Sequence, residues 1–111
     1  LTSGRPPAGT HTLPTGEHRV NGDLHVPDGV SLIAEGAGAA TLLFHEGNGL
    51  LLSGGHCSGI TIRGDGWYVV RATGAATGEI NQCKVYGGVE IDGRASPVLR
   101  GNTITNSSGN G

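Results

Sequence analysis

Methionine is absent from this chain, and aromatic side chains are confined to Phe44, Trp67, Tyr68 and Tyr86. A chain without an initiating methionine is expected to be a processed form or a segment of a longer protein. So few aromatics, in a sequence only 35% hydrophobic, argue against a globular sandwich, whose core needs bulkier filling. Charge is also scarce, at 14%, and β-branched residues are frequent, so the composition is not that of a disordered chain. Lysine and arginine are scattered and the formal net charge is -2, which leaves no basic stripe for nucleic acid. No apolar run reaches about 18 residues, so no helical membrane span is expected. Sustained i, i+3, i+4 apolar spacing is missing as well, which argues against amphipathic helices. Cysteine is limited to Cys57 and Cys83, which does not assign a redox compartment, and localisation stays open.

What the chain has in abundance is glycine, 22 residues in 111. Apolar runs such as Leu50-Leu51-Leu52 break any collagen-like triplet. Short strand-like runs alternate with glycine, asparagine or aspartate, among them Val30–Ile33, Thr41–Phe44, Ile60–Ile62, Lys84–Tyr86 and Thr103–Thr105. Self-similarity decides how they are arranged. Sliding the stretch Val70–Gly87 onto Val89–Asn106 without a gap lays Val70 on Val89, Ala72 on Ile91, Ile80 on Leu99 and Val85 on Ile104. Each unit then holds three short strands with a turn at each corner, which is one coil of a triangular solenoid. The preceding coil aligns Ile60 and Ile62 with Cys83 and Val85, and fits only with an insertion near Gly64-Asp65-Gly66-Trp67. Val30 and Leu32 lie farther still ahead of Ile60 and Ile62, which predicts a longest first coil.

The predicted fold is therefore all-β: a right-handed parallel β-helix with three-strand coils of about 19–23 residues, four to five coils in all. Residues 1–11 are expected to be leader or linker, and 12–111 a single β-helix domain. Alternation points Ile60, Ile62, Cys83, Val85, Asn102 and Ile104 inward, and Thr61, Arg63, Lys84, Tyr86, Thr103 and Thr105 outward. Asn102 at an inward corner is expected to bond the turn backbone of a neighbouring coil. Cys57 and Cys83 are offset by three residues along the strand direction, too far for a disulfide.

The segment from Gly88-Val89-Glu90-Ile91-Asp92-Gly93 to Asn102-Thr103-Ile104 resembles the right-handed β-helix repeats of the pectin-lyase-like superfamily. Thr12–Val20 and Val30–Gly36 resemble the opening turns of such domains, so the resemblance spans nearly the whole of 12–111. It implies the fold. It leaves function open, because the superfamily hosts lyases, hydrolases, epimerases, adhesins and inert scaffolds.

Catalysis on this fold uses clustered aspartates, or a basic residue beside calcium-binding carboxylates. Asp65 in Gly64-Asp65-Gly66 and Asp92 before Gly93 instead read as turn residues, and Asp23 and Asp28 form no column with them. The histidines His11, His18, His25, His45 and His56 make no metal-ligand motif, so neither a metal nor a cofactor is expected. Thr103-Ile104-Thr105 is not an ice-binding ladder, because Lys84, Tyr86 and Arg63 occupy the equivalent outward positions. Trp67 and Tyr68, at the bulged corner, are the candidate ligand-binding residues. Gly109-Asn110-Gly111 repeats the handover Gly47-Asn48-Gly49 that precedes Leu50, so a next strand would begin where the chain stops. The expected interface is then the open last coil, through Val89, Ile91, Leu99 and Ile104. The leading functional expectation is a non-catalytic β-helix scaffold or protein-interaction module within a larger protein. Its rivals are a carbohydrate-binding module and a fragment of a polysaccharide lyase or hydrolase. The partners expected are a second copy of the chain and a polysaccharide.

Overall fold

A computed structural model describes residues 8–36, 38–72, 77–91, 93 and 98–105. The described chain is a β-helix of about four coils, all-β and without helix. The first coil holds β1 (Gly9–Leu13), β2 (Gly16–Val20) and β3 (Leu24–Pro27). The second holds β4 (Val30–Ala34), β5 (Ala40–Phe44) and β6 (Leu50–Ser53). In the third, β7 (His56–Ser58) is followed by one long strand, β8 (Thr61–Ala72), that turns a corner and serves two faces. The fourth repeats this with β9 (Glu79–Asn81) and β10 (Lys84–Ile91), and β11 (Val98–Arg100) and β12 (Thr103–Thr105) begin a fifth. The expected leader boundary falls inside β1, which already pairs with β4 from Gly9 onward.

Every named strand pairs in parallel with its counterpart one coil away, so each face is a ladder running along the solenoid. Alternation along each strand sends every second side chain inward, and register stacks those side chains into columns. One column is His11, Leu32, Cys57, Ile80 and Leu99. A second is His18, Leu42, Ile62, Val85 and Ile104. The third face contributes Leu24, Leu50, Val70 and Val89. The middle members of all three are buried, so the core is filled by aliphatic side chains and cysteine, with Phe44 as its one aromatic among the described residues.

The matches Val70 to Val89, Ile80 to Leu99, Ile62 to Val85 and Val85 to Ile104 stand as the repeat predicts. One alignment does not. Ile62 stacks on Leu42, not on Leu32, and Leu32 stacks on Cys57. Val30–Ala34 and Thr61–Arg63 therefore belong to different faces, and the long first coil expected from Val30 and Leu32 does not exist. Along the first face the steps are uneven: the one from Leu32 to Cys57 is the longest and the one from Ile80 to Leu99 the shortest. The cause of the misalignment is that alternation reports in against out and is blind to which of three faces a strand occupies. Thr61, outward by parity, is also buried, a short side chain in a column between Thr41 and Lys84.

Asn102 does what its corner requires. Its Oδ1 accepts the Cys83 backbone N–H at 2.9 Å, and its Nδ2 donates to the Ile80 carbonyl at 2.9 Å, tying the corner of the coil before it. Cys57 and Cys83 are both free and buried, and the partner of Cys57 is Ile80, three residues short of Cys83. Burial pushes both thiols up from their ordinary range, and the nearness of Cys83 adds to the effect at Cys57. The native protein should therefore resist alkylation at pH 8, and both thiols should label after unfolding without reductant. Rapid labelling of the folded chain, or a bridged main species, would contradict the coil register.

A second expectation follows from the column Ile62–Val85–Ile104. Val85→Asp places an unpaired carboxylate in it and should cost about 3 kcal/mol or more, whereas Lys84→Ala on the outward side should stay within about 0.5 kcal/mol. Thermal melts check this, and similar midpoints for the two variants would overturn the face assignment.

Candidate functional site

The bulged corner is built by crowding around one residue. β8 and β10 pair as Arg63 with Tyr86 and then Tyr68 with Gly88, so four residues of β8, Gly64–Trp67, stand against Gly87 alone. Val69 and Val70 are consecutive yet both buried, because the bulge breaks the alternation. Room for Val69 comes from glycines on three successive coils. A Cβ would lie 2.4 Å from the Val69 carbonyl oxygen at Gly49, 2.6 Å from its Cγ2 at Gly64 and 2.9 Å from its Cγ1 at Gly87. A Cβ at Gly66 would likewise lie 2.8 Å from the Gly47 Cα.

Asp65 faces the corner of the coil before it. Its two carboxylate oxygens accept the backbone N–H groups of Gly47 at 3.0 Å and Glu46 at 3.1 Å. Glu46 needs that help, being a non-glycine residue at φ 58°. The Gly47 bond first and the Glu46 bond second hold the Asp65 carboxyl below the ordinary aspartate range. Asp23 Oδ1 accepts the Gly49 backbone N–H at the same corner, at 2.9 Å. Both carboxylates are thus engaged in holding corners. Tyr68 is half-buried beside this bulge. Trp67 lies in the same strand, but its side chain falls outside the described residues, as does Asp92.

Outward side chains make short pairs on each face. Glu79 receives the His56 Nδ1 at 3.1 Å and lies 3.8 Å from the Arg100 Nε, joining three coils of the first face. Arg71 and Glu90 meet at 3.8 Å on the third. On the second, the Arg63 guanidinium sits 4.6 Å from the centre of the Tyr86 ring. Exposed pairs of this kind contribute little stability each.

The two ends of the solenoid differ. At the C-terminal side, Ile91, Val98, Leu99 and Ile104 are 48%, 42%, 37% and 40% exposed, and β11 and β12 are each paired on one edge among the described residues. Val89, expected to share that surface, is instead partly buried against the core. At the N-terminal side the apolar residues Leu13, Val20, Leu24 and Val26 are buried, and the first members of two inward columns are His11 and His18. Both imidazoles line a cavity of about 440 Å³ with Thr10, Thr12, Leu13 and Pro14. No spacing motif joins two histidines on either side of a corner; only the register of β1 and β2 reveals that both sit at inward positions.

The Asp65 contacts generate a pH expectation. A carboxyl whose folded pKa is depressed stabilises the protein above its unfolded pKa, and that contribution is lost as pH falls through the folded value. Asp65→Asn should therefore lower stability at neutral pH and converge on the parent in acid, below the ordinary aspartate range. Denaturant melts across this range test it; an unchanged gap at low pH would overturn the role given to the carboxylate. Comparison of the chain with protein-family models, with curated proteins and with solved structures gave no match, so function has to be read from these side chains and their geometry.

Proposed function

We propose that this chain is a non-catalytic β-helix module whose work is protein interaction, with the edge formed by β11 and β12 as its docking surface. The observation that carries the reading is the gathering of exposed aliphatic residues Ile91, Val98, Leu99 and Ile104 beside strand edges that, among the described residues, are paired on one side. Free N–H and C=O groups along such an edge are a template for another strand, and the apolar side chains beside them add burial on pairing. A second copy of the chain offers the same edge, and a two-fold contact closes on itself without growing into a fibre. The engagement of Asp23 and Asp65 with corner amides supports a structural use of the carboxylates over an acid–base one. The likeness of the repeats to the pectin-lyase-like superfamily is consistent with a scaffold, since that superfamily includes scaffolds as well as enzymes.

Carbohydrate binding is the second reading. It is favoured by the grouping of Tyr68 near the bulge with the stacked Arg63–Tyr86 pair on the neighbouring outward face. Sedimentation over a range of concentrations separates the two. Association that strengthens with concentration and is abolished by Leu99→Lys, a change at the exposed end of its column, is the expected result. A chain that stays monomeric at high concentration, with backbone amides of residues 98–105 protected from exchange, would overturn the docking edge. Specific binding on a glycan array that is lost in Tyr86→Ala and indifferent to Leu99→Lys would replace it with the second reading.

A further inference from the structure

Corners of two neighbouring coils carry the same dipeptide, asparagine followed by glycine. Asn21-Gly22 opens the corner between β2 and β3, and Asn48-Gly49 closes the corner between β5 and β6. Asparagine is among the chemically labile residues, and most so before glycine. The glycine backbone nitrogen can attack the asparagine side-chain carbonyl carbon, because no side chain on the glycine hinders the approach. Whether it does so depends on what holds the two reacting groups, and the two corners differ in this.

At the later corner both groups are held. The Gly49 N–H donates to Asp23 Oδ1 at 2.9 Å. The Asn48 Nδ2 donates to the His45 carbonyl at 2.8 Å, and the Asn48 backbone N–H donates to the same oxygen at 3.1 Å. Gly49 itself is buried, and the Val69 carbonyl stands so close that even a Cβ would not fit, so its backbone has no room to swing. Attack also requires the Gly49 nitrogen to lose its proton. A carboxylate already accepting that N–H opposes the negative charge that would form.

At the earlier corner neither group is held. Asn21 is exposed and Gly22 half-buried. Among the described residues, no protein acceptor takes the Gly22 N–H, and the Asn21 side chain makes no hydrogen bond. Gly22 sits at φ 92°, a conformation open to glycine without strain.

We propose that Asn21-Gly22 is a site of spontaneous backbone modification, and that Asp23 is the lock that keeps Asn48-Gly49 from the same reaction. Hydroxide takes the Gly22 amide proton, and the nitrogen bonds to the Asn21 Cγ. The Cγ–Nδ2 bond breaks, and the side-chain nitrogen leaves as ammonia, taking a proton from water and regenerating hydroxide. The closed ring is a succinimide. Water opens it at one of its two carbonyls, giving aspartate or isoaspartate. Either product adds one negative charge. Isoaspartate also lengthens the main chain by one carbon, two residues ahead of the Asp23 that guards the second site. The reaction is remote from the β11–β12 edge and does not depend on the interaction proposed there.

Incubation of the whole chain in mildly alkaline buffer, folded and in urea, tests this. Cleavage after glutamate separates the two sites, with Asn21 in fragment 18–35 and Asn48 in fragment 47–79. Conversion is read in each fragment as the mass gain when an amide becomes a carboxyl, and the isoaspartate share by isoaspartyl methyltransferase labelling. In the folded chain Asn21 should convert faster than Asn48 by about tenfold or more, since Asn48 reacts only through local opening. In urea the two rates should converge. Asp23→Ala should raise the Asn48 rate in the folded chain. Asp23→Asn, whose Oδ1 can still accept the Gly49 N–H, should raise it much less. Where Asp23→Ala does not fold, the folded and urea-treated parent and Asp23→Asn decide. Equal rates at the two sites in the folded parent, an Asn21 that converts only in urea, or a folded Asp23→Ala chain with Asn48 still protected would overturn the proposal.

Discussion

The backbone of each coil finds its hydrogen-bond partners in the coils before and after it, and the rest of the structure follows from that dependence. A β-strand of three to five residues cannot stand alone. Stacked in register, however, the strands β1, β4, β7, β9 and β11 form one continuous parallel ladder, and the other faces do likewise. Register then fixes the core, because a slip of one residue would turn every inward side chain outward. The columns through Leu32, Cys57 and Ile80 and through Leu42, Ile62 and Val85 are the packing consequence of a backbone constraint.

The corners are where coils of unequal length are reconciled. The chain from Leu32 to Cys57 is longer than the chain from Ile80 to Leu99, yet both make one step along the same in-register ladder, so the surplus has to leave the ladder at a corner. On the second face the step from Ile62 to Val85 is likewise longer than the step from Val85 to Ile104, and its extra residues form the β8 bulge, where Val69 packs inward against glycines at 49, 64 and 87 and Gly64–Trp67 stand opposite Gly87 alone. Turn amides that the ladder cannot satisfy are met by side chains reaching across one coil. Asp23 and Asp65 reach the same corner, between β5 and β6, from the coils on either side of it, and Asn102 performs the same service at the corner before β10. Polar residues that would read as a scattered set of catalytic candidates are in this way accounted for by backbone hydrogen bonding.

The described residues of the solenoid have a first and a last coil. Here the ends are chemically opposite. Imidazoles and hydroxyls line the cavity at the N-terminal coil, and exposed aliphatic side chains mark the C-terminal coil, whose strands are paired on one edge among the described residues.

The sequence by itself determined the class of fold. Glycine-punctuated alternation and the gapless match of Val70, Ala72, Ile80 and Val85 to Val89, Ile91, Leu99 and Ile104 were sufficient for a parallel solenoid. The corner role of Asn102, the bulge after Arg63 and the separation of Cys57 from Cys83 were legible for the same reason, since each depends on local parity or on a short, nearly gapless alignment. The placement of Val30–Ala34 was not legible. Three faces share one in–out alternation, and only the stacking of Leu42 on Ile62 tells which face a strand joins. Nor did the sequence reveal that His11 and His18 both take inward positions beside one cavity, because their spacing across a corner is no motif until β1 and β2 are stacked under β4 and β5. Tertiary structure decided these points because the side chains concerned are related by coil stacking, a distance that does not exist along the chain.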